Sequence, residues 1–387
     1  MLLVSFIVAG CSGPTIESSN SSSSGLNSES DTFNIGLAIS MTGGTALFGE
    51  GVNQGVQVAV DEFNSSGGYD GKQVNLVVYD DEAKPEKSVE VVQKLISQDN
   101  IVALVGPANS GNALAHIKLT QEAKIPEVVP VATNTKITQQ YKEEEKNYIF
   151  RVSALDSVQV QTILKELIEE QGLTKLGVIH DTEGYGQGGR EDIVKQLKED
   201  YNMEATKISA FDPKELNLEQ SIRDMKKADV EAVVFYGLAP QAAKLLEARN
   251  KEGLDVPIYA TWATGDPTVV KLVGDLVNEN VFFVQSFTID QSDKAKAFNE
   301  KMVEKYGENI FPVASAQGYD SAKLILDAIK KVGLDGEKIR DQIESFTDFE
   351  GVTAISNQPF TKENHEAYGP NDVFIATYKD LKIVKAD

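Results

Sequence analysis

From Phe33 onward the chain keeps switching between two hydrophobic periods, and this alternation narrows the folds open to it. Short runs rich in Val, Ile and Leu (FNIGLAIS, QVNLVVYDD, IVALVG and IPEVVPV) alternate with longer segments of helical period, such as 52–63 and 86–96. In the latter, Val89, Val92 and Ile96 fall on one helical face. Strands separated by helices pair in parallel, because a parallel pair needs a crossover of a dozen residues or more. The pattern then restarts. After YIFRVSALD, helical segments over 158–170, 189–199, 216–227 and 240–250 alternate with the runs LGVIH, ATKISAF, EAVVFYG and VPIYAT. Two consecutive series predict an α/β fold of two similar lobes with parallel sheets. A third region carries VFFVQSFT, helices over 293–306 and 316–332, and a β-like tail able to return to the first lobe and cross again.

A length of 387 residues suffices for two cores, and 41% hydrophobic with 25% charged residues is an ordinary globular composition. Against 59 acidic residues stand 37 basic ones, a net charge of -22 that repels phosphate backbones and argues against nucleic-acid binding. The only cysteine is Cys11, so no intramolecular disulfide forms. Before it, MLLVSFIVAG is apolar but too short to span a bilayer, and Val8-Ala9-Gly10-Cys11 resembles a lipobox. We therefore expect a signal peptide over 1–10, shortened because no Lys or Arg precedes the apolar run, and lipid attachment at Cys11. Residues 11–32 are rich in Ser, Asn and Gly and read as a flexible tether to an extracytoplasmic membrane face.

Two stretches suit an anion at the carboxyl ends of strands, where open α/β sheets bind ligands. In VGPANSGNALAH a helix begins near Ser110, with Asn109 or Ser110 as its cap and with backbone N–H groups able to face a carboxylate. In PVATNT, Thr133 follows another strand. The stretch HDTEGYGQGGR matches G-x-G-x-x-G at Gly184, Gly186 and Gly189, with Asp212 at the spacing of a ribose ligand. Three residues, two of them acidic, separate the strand from Gly184, which makes a poor diphosphate cradle. The glycines instead hold Tyr185 over a cleft, or form a solvated loop. His116, His180 and His365 lack metal-ligand spacing, and no nucleophile elbow, Walker loop or Ser-His-Asp pattern is visible. Asp80 and Asp81 read as loop or cap residues. Neither an enzyme, a cofactor nor a metal is implied.

Taken in order, SMTGGTALFGEGVNQGVQVAVDEFNSSGGYDGKQVNLVVYDDEAKPEKSV, ALVGPANSG, VPVATNT, IFRVSALDS, HDTEGYGQG and FYGLAPQAAKLLEARNKEG resemble the branched-chain amino-acid family of type I periplasmic solute-binding proteins, receptors that feed ABC transporters. The resemblance runs from about Phe33 to Tyr378. It implies two Rossmann-like lobes joined by three crossover strands, lobe I being 33–154 with 286–352 and lobe II 155–285 with 353–387. It also implies a monomer that carries a small ligand to the permease subunits of a transporter. By position, Ser110 and Thr133 match residues that hold the ligand carboxylate and amine, with a carbonyl around Val131 for the amine. Phe48 matches an aromatic over the ligand, and Tyr185 the tyrosine that closes on it. Two positions depart: Leu238 stands where an aromatic is common, and Trp262 where an acidic residue pairs the ammonium. That leaves Asp266, or Glu183 or Asp320, as the counter-charge, or else a ligand without an amine, such as an amide, a urea-like solute or an aromatic acid. A ligand-sensing protein acting through a separate signalling partner would share this sequence.

Overall fold

The computed structural model describes residues 31–214, 217–353 and 355–386. The apolar start, Cys11 and most of the Ser-rich stretch lie outside the described residues. The first series forms β1 (Thr32–Ile39), α1 (Ala46–Ser65), β2 (Gln73–Asp80), α2 (Pro85–Ser97), β3 (Leu104–Val105), α3 (Ser110–Ala123), β4 (Glu127–Val129), a short α4 (Lys136–Gln139) and β5 (Ile149–Arg151). Its five strands lie in the order β2-β1-β3-β4-β5, all parallel.

The second series forms α5 (Asp156–Leu164), β6 (Leu176–Asp181), α6 (Gly184–Tyr201), β7 (Lys207–Phe211), α7 (Glu219–Lys227), β8 (Ala232–Tyr236), α8 (Ala239–Glu252), β9 (Ile258–Ala260), α9 (Pro267–Val273) and β10 (Val281–Gln285). The chain then returns to the first lobe with α10 (Asp293–Tyr306), α11 (Pro312–Val332) and α12 (Gly336–Glu344), and α11 packs along α1. After the short hairpin of β11 (Phe349–Glu350) and β12 (Ser356–Asn357), β13 (Phe374–Lys379) and β14 (Lys382–Lys385) join the second sheet. That sheet has the order β14-β13-β10-β9-β8-β6-β7, parallel except where β13 and β14 run against their neighbours. The chain crosses between the sheets three times: after β5, after β10, and between α12 and β13.

The repeat of strands and helices agrees with the alternation in the sequence, and the differences are local. The buried face of α2 is Ser88, Val91, Val92 and Leu95 rather than the Val89, Val92, Ile96 stripe. Ser88 turns inward because its hydroxyl meets Nδ1 of buried His116 at 2.8 Å, while His116 Nε2 meets Glu127 at 2.9 Å. All three are fully buried, so this Ser–His–carboxylate row binds α2, α3 and β4 together, out of reach of any substrate. The helix expected from 189 starts at Gly184 instead. The one expected over 158–170 is α for nine residues and then widens into a π-helical turn, Lys165–Glu170.

One buried ion pair links the third crossing to the first sheet. Arg151, at the end of β5 and fully buried, donates from Nε and Nη2 to the carboxylate of Glu366 at 2.7 and 2.6 Å. The backbones bond as well: Arg151 N–H to His365 C=O, and Ala367 N–H to Arg151 C=O, each at 3.0 Å. Removing one member of such a pair leaves the other buried and uncompensated. Glu366→Ala should therefore lower the unfolding free energy by about 3–5 kcal/mol in urea titration. Arg151→Met combined with Glu366→Leu should recover most of that loss.

Candidate functional site

The side chains that meet in the cleft all follow the carboxyl ends of parallel strands or the start of α1. From the first sheet, β3 leads to Asn109 and Ser110, and β4 leads to the loop 131–135. From the second, β6 leads to Tyr185, β8 to Leu238 and β9 to Trp262. Phe48, in the first turn of α1, completes the set. These residues line a single cleft. Thus seven of the residues singled out in the sequence (Phe48, Ser110, Val131, Thr133, Tyr185, Leu238 and Trp262) come together around it.

Asp266 does not. It is buried as the N-cap of α9, where Oδ1 accepts the Thr268 N–H at 2.7 Å. Burial raises its carboxyl above the usual carboxylate range. The expectation that it meets a ligand amine is corrected on this ground: the Asp-Pro pair at 266–267 is a helix start, and the side chain serves the helix. Glu183 and Asp320 are likewise absent from the cleft wall. Asp320 holds the 352–353 segment, accepting from the amides of Val352 and Thr353 and from the Thr353 hydroxyl.

The first-lobe wall is held rigidly. Asn109 caps α3, its Oδ1 accepting the Gly111 and Asn112 amides at 2.8 and 3.4 Å, so these two helix N–H groups are already satisfied. The Ser110 hydroxyl accepts the Asn134 amide at 3.3 Å. Arg151 Nη1 donates to the carbonyls of Ala132 and Asn134, at 3.3 and 2.8 Å, and the Asp156 amide takes that of Thr133 at 2.8 Å. Each of these bonds fixes the loop that presents Thr133, and the Val131 carbonyl is left without a partner among the described residues.

The second-lobe wall is aromatic and aliphatic. Tyr185 is the second residue of α6 and is buried, its hydroxyl bonded to Thr261 and its ring 5.3 Å from that of Tyr236. Trp262 packs edge-on against Phe48 across the cleft, the ring centroids 5.0 Å apart, and Phe48 in turn meets Phe311 at 4.6 Å. No ionisable acid or base other than the Tyr185 phenol lines the cleft, and burial holds that phenol well above its ordinary pKa, so it stays neutral.

The glycines of HDTEGYGQGGR serve close approach, not looseness. They form the first turns of a helix, and three of them have no room for a side chain. A Cβ on Gly186 would lie 2.5 Å from the Asp181 carbonyl, and one on Gly189 2.2 Å from the Tyr236 ring. A Cβ on Gly188 would stand 2.1 Å from Nδ2 of Asn134 in the opposite lobe. That Asn134 amide donates to the Gly184 carbonyl at 2.7 Å, and Thr135 donates to Asp192 at 2.7 Å. The two walls are therefore bonded to each other beside the cleft.

One polar lining residue escaped the sequence reading. Thr45, just before α1, is buried in the cleft wall and its hydroxyl has no partner within the protein. Its one signal was its place three residues before Phe48.

The family described as periplasmic binding proteins has a sequence profile that matches residues 32–382. A leucine-, isoleucine-, valine-, threonine- and alanine-binding protein of Pseudomonas aeruginosa is 27% identical over 323 residues, 82% of this chain and 83% of that protein. The branched-chain amino acid transporter substrate-binding protein LivJ of Streptococcus pneumoniae, solved with isoleucine, is 28% identical, with a TM-score of 0.77 over 92% of this chain and 100% of the other. A type 1 periplasmic binding protein of Bordetella pertussis, 23% identical, shares the fold with a TM-score of 0.83 over 92% and 99%.

Two substitutions test the cleft. Gly188→Ala should displace Asn134 and break its bond to Gly184, weakening solute binding about five- to tenfold in calorimetry, the loss of one interlobe hydrogen bond. Thr45→Val removes the unpartnered hydroxyl and should weaken a solute that bonds to it by a similar factor, with the melting temperature of the empty protein unchanged or raised.

Proposed function

This chain belongs to the family of periplasmic binding proteins, and from that premise we propose that it captures an apolar, branched-chain-type amino acid in the interlobe cleft and delivers it to an ABC permease. The family is one of solute receptors rather than enzymes, and its members act outside the cytoplasm. The observation that carries the ligand class is the division of the cleft wall. Hydroxyls of Ser110 and Thr133 and the Val131 carbonyl come from the first lobe, and Leu238 and Trp262 from the second, with Phe48 packed against Trp262. The polar side suits the head of an amino acid, and the apolar side suits a hydrocarbon side chain, which gains about 25 cal/mol for each Å² it buries.

Capture begins on the first lobe, whose polar groups are already fixed by Asn109 and Arg151. Closure then brings Tyr185 and Trp262 over the solute, and the bonds from Asn134 to Gly184 and from Thr135 to Asp192 form only in the closed state. Contacts unique to one state shift the population toward it. The closed form is the one a permease recognises. The protein acts as a monomer, tethered through Cys11 to the membrane, a reading supported by the lipobox-like Val8-Ala9-Gly10-Cys11 and the Ser-rich stretch that follows. No helix among the described residues is long and apolar enough to cross a membrane.

Melting temperature measured against a panel of solutes tests the ligand class. Leucine, isoleucine, valine and alanine are set beside the matched amine-free acids, simple amides, urea and aromatic acids. A cognate ligand at a hundred times its Kd should stabilise the protein by about 2.7 kcal/mol. Response to the apolar amino acids is expected, and it should vanish in the double variant Ser110→Ala, Thr133→Val. Response confined to amine-free solutes, or to none of the panel, overturns the assignment.

A further inference from the structure

Three consecutive residues of the first lobe, Asn134, Thr135 and Lys136, each bond to α6 of the second. The Asn134 amide donates to the Gly184 carbonyl and the Thr135 hydroxyl to the Asp192 carboxylate, each at 2.7 Å. Lys136 Nζ stands 2.7 Å from Glu191 Oε2. None of these six residues lines the solute cleft, whose wall includes their neighbours Thr133 and Tyr185 instead. The bonds are unequal. Lys136 and Glu191 are exposed, and such a pair adds little. Thr135 and Asp192 join a hydroxyl to a carboxylate, a stronger pairing than one between neutral groups.

The first-lobe segment is set for these bonds from its own side. Arg151 holds the Asn134 carbonyl at 2.8 Å, and the Asn134 side chain accepts the Lys136 amide at 2.9 Å. The Ser157 amide donates to the Thr135 hydroxyl at 3.2 Å, which occupies a lone pair and leaves the proton for Asp192. Little side-chain freedom is left to lose when the lobes meet, so contact costs less entropy. On the facing side the glycines remove bulk. A Cβ on Gly184 would stand 3.1 Å from the Gly111 Cα of α3, and one on Gly188 2.1 Å from Asn134. Shape and hydrogen bonds match across this seam with no contribution from a solute. A contact of that kind belongs to the equilibrium between open and closed forms. It multiplies the affinity of every solute by one factor, whereas the cleft wall sets the differences between solutes.

We propose that the 134–136 segment and α6 form a solute-independent latch. The empty protein closes and reopens on its own, and the latch lengthens the residence of every accepted solute by a common factor. Choice among solutes is left to the cleft wall. This rests on the receptor reading above and deepens it, because it separates the strength of capture from its selectivity.

Stopped-flow measurement of Trp262 emission, following release of leucine, isoleucine and valine, tests the latch in Thr135→Val and Asp192→Ala. Each variant should release all three about tenfold faster, by factors that agree within about twofold, with association rates within about threefold of the wild type. The double variant should be no faster than either single one, since both lose the same bond. Thr135→Ser keeps the hydroxyl and should release at close to the wild-type rate. Thr135→Val also frees the Ser157 amide, whereas Asp192→Ala leaves that bond in place, so disagreement between the two overturns the inference. Single-molecule energy transfer between dyes on exposed residues of α2 and α8 reads the empty protein. The wild type should spend about tenfold more time closed than either variant. Faster release of one solute alone overturns the latch and places these residues in solute recognition. Unchanged release in both variants, or an empty wild type that never closes, overturns it as well. If none of the three amino acids binds, the ligand class falls, and the dye measurement on the empty protein still decides the latch.

Discussion

The cleft depends on one buried ion pair. Arg151 reaches with one nitrogen to the carbonyls of the 131–135 loop and with the others to Glu366, so a single guanidinium positions the polar wall of the site and anchors the returning chain. A planar fork of donors suits this double task in a way that a lysine ammonium would not. Its charge is matched within the protein by Glu366, so the pair brings no net charge to the cleft. The loop it holds is therefore rigid but electrically quiet, and any net charge on a solute must be answered from elsewhere.

Small residues and bonded walls give the second constraint. Gly186 and Gly189 let α6 start flush against Asp181 and Tyr236, and Gly188 lets the same helix reach Asn134 across the cleft. The lid is thus a helix start pressed onto its neighbours. Motion at the cleft is then expected to be the rotation of whole lobes about the three crossings, with α6 carried as a rigid part, rather than the flexing of a loop.

The alternation of periods made the two-lobe α/β architecture legible, because parallel pairing through helices is close to a forced consequence of it. What periodicity could not show was which polar residues turn inward. Ser88 joins the buried face of α2 only because His116 and Glu127, far away in sequence, form a row beneath it. The start of α6 was hidden because glycine argues against a helix by propensity, and only tertiary crowding explains its use. At the site, residues following strand ends were readable from local motifs and resemblance, and the structure gathers seven of them. Asp266 was misread because a carboxylate near a strand end looks the same in sequence whether it faces a solute or caps a helix. Thr45 gave no signal beyond its place before Phe48, since lacking a hydrogen-bond partner is a property of three dimensions alone.

The contact between Phe48 and Trp262 has a practical side. The chain contains a single tryptophan, and its indole is clamped edge-on against a ring from the opposite lobe. Opening the cleft would separate the two rings and let water reach the indole. The molecule therefore carries an optical gauge of its own hinge, one that reads occupancy from intrinsic emission without an attached dye.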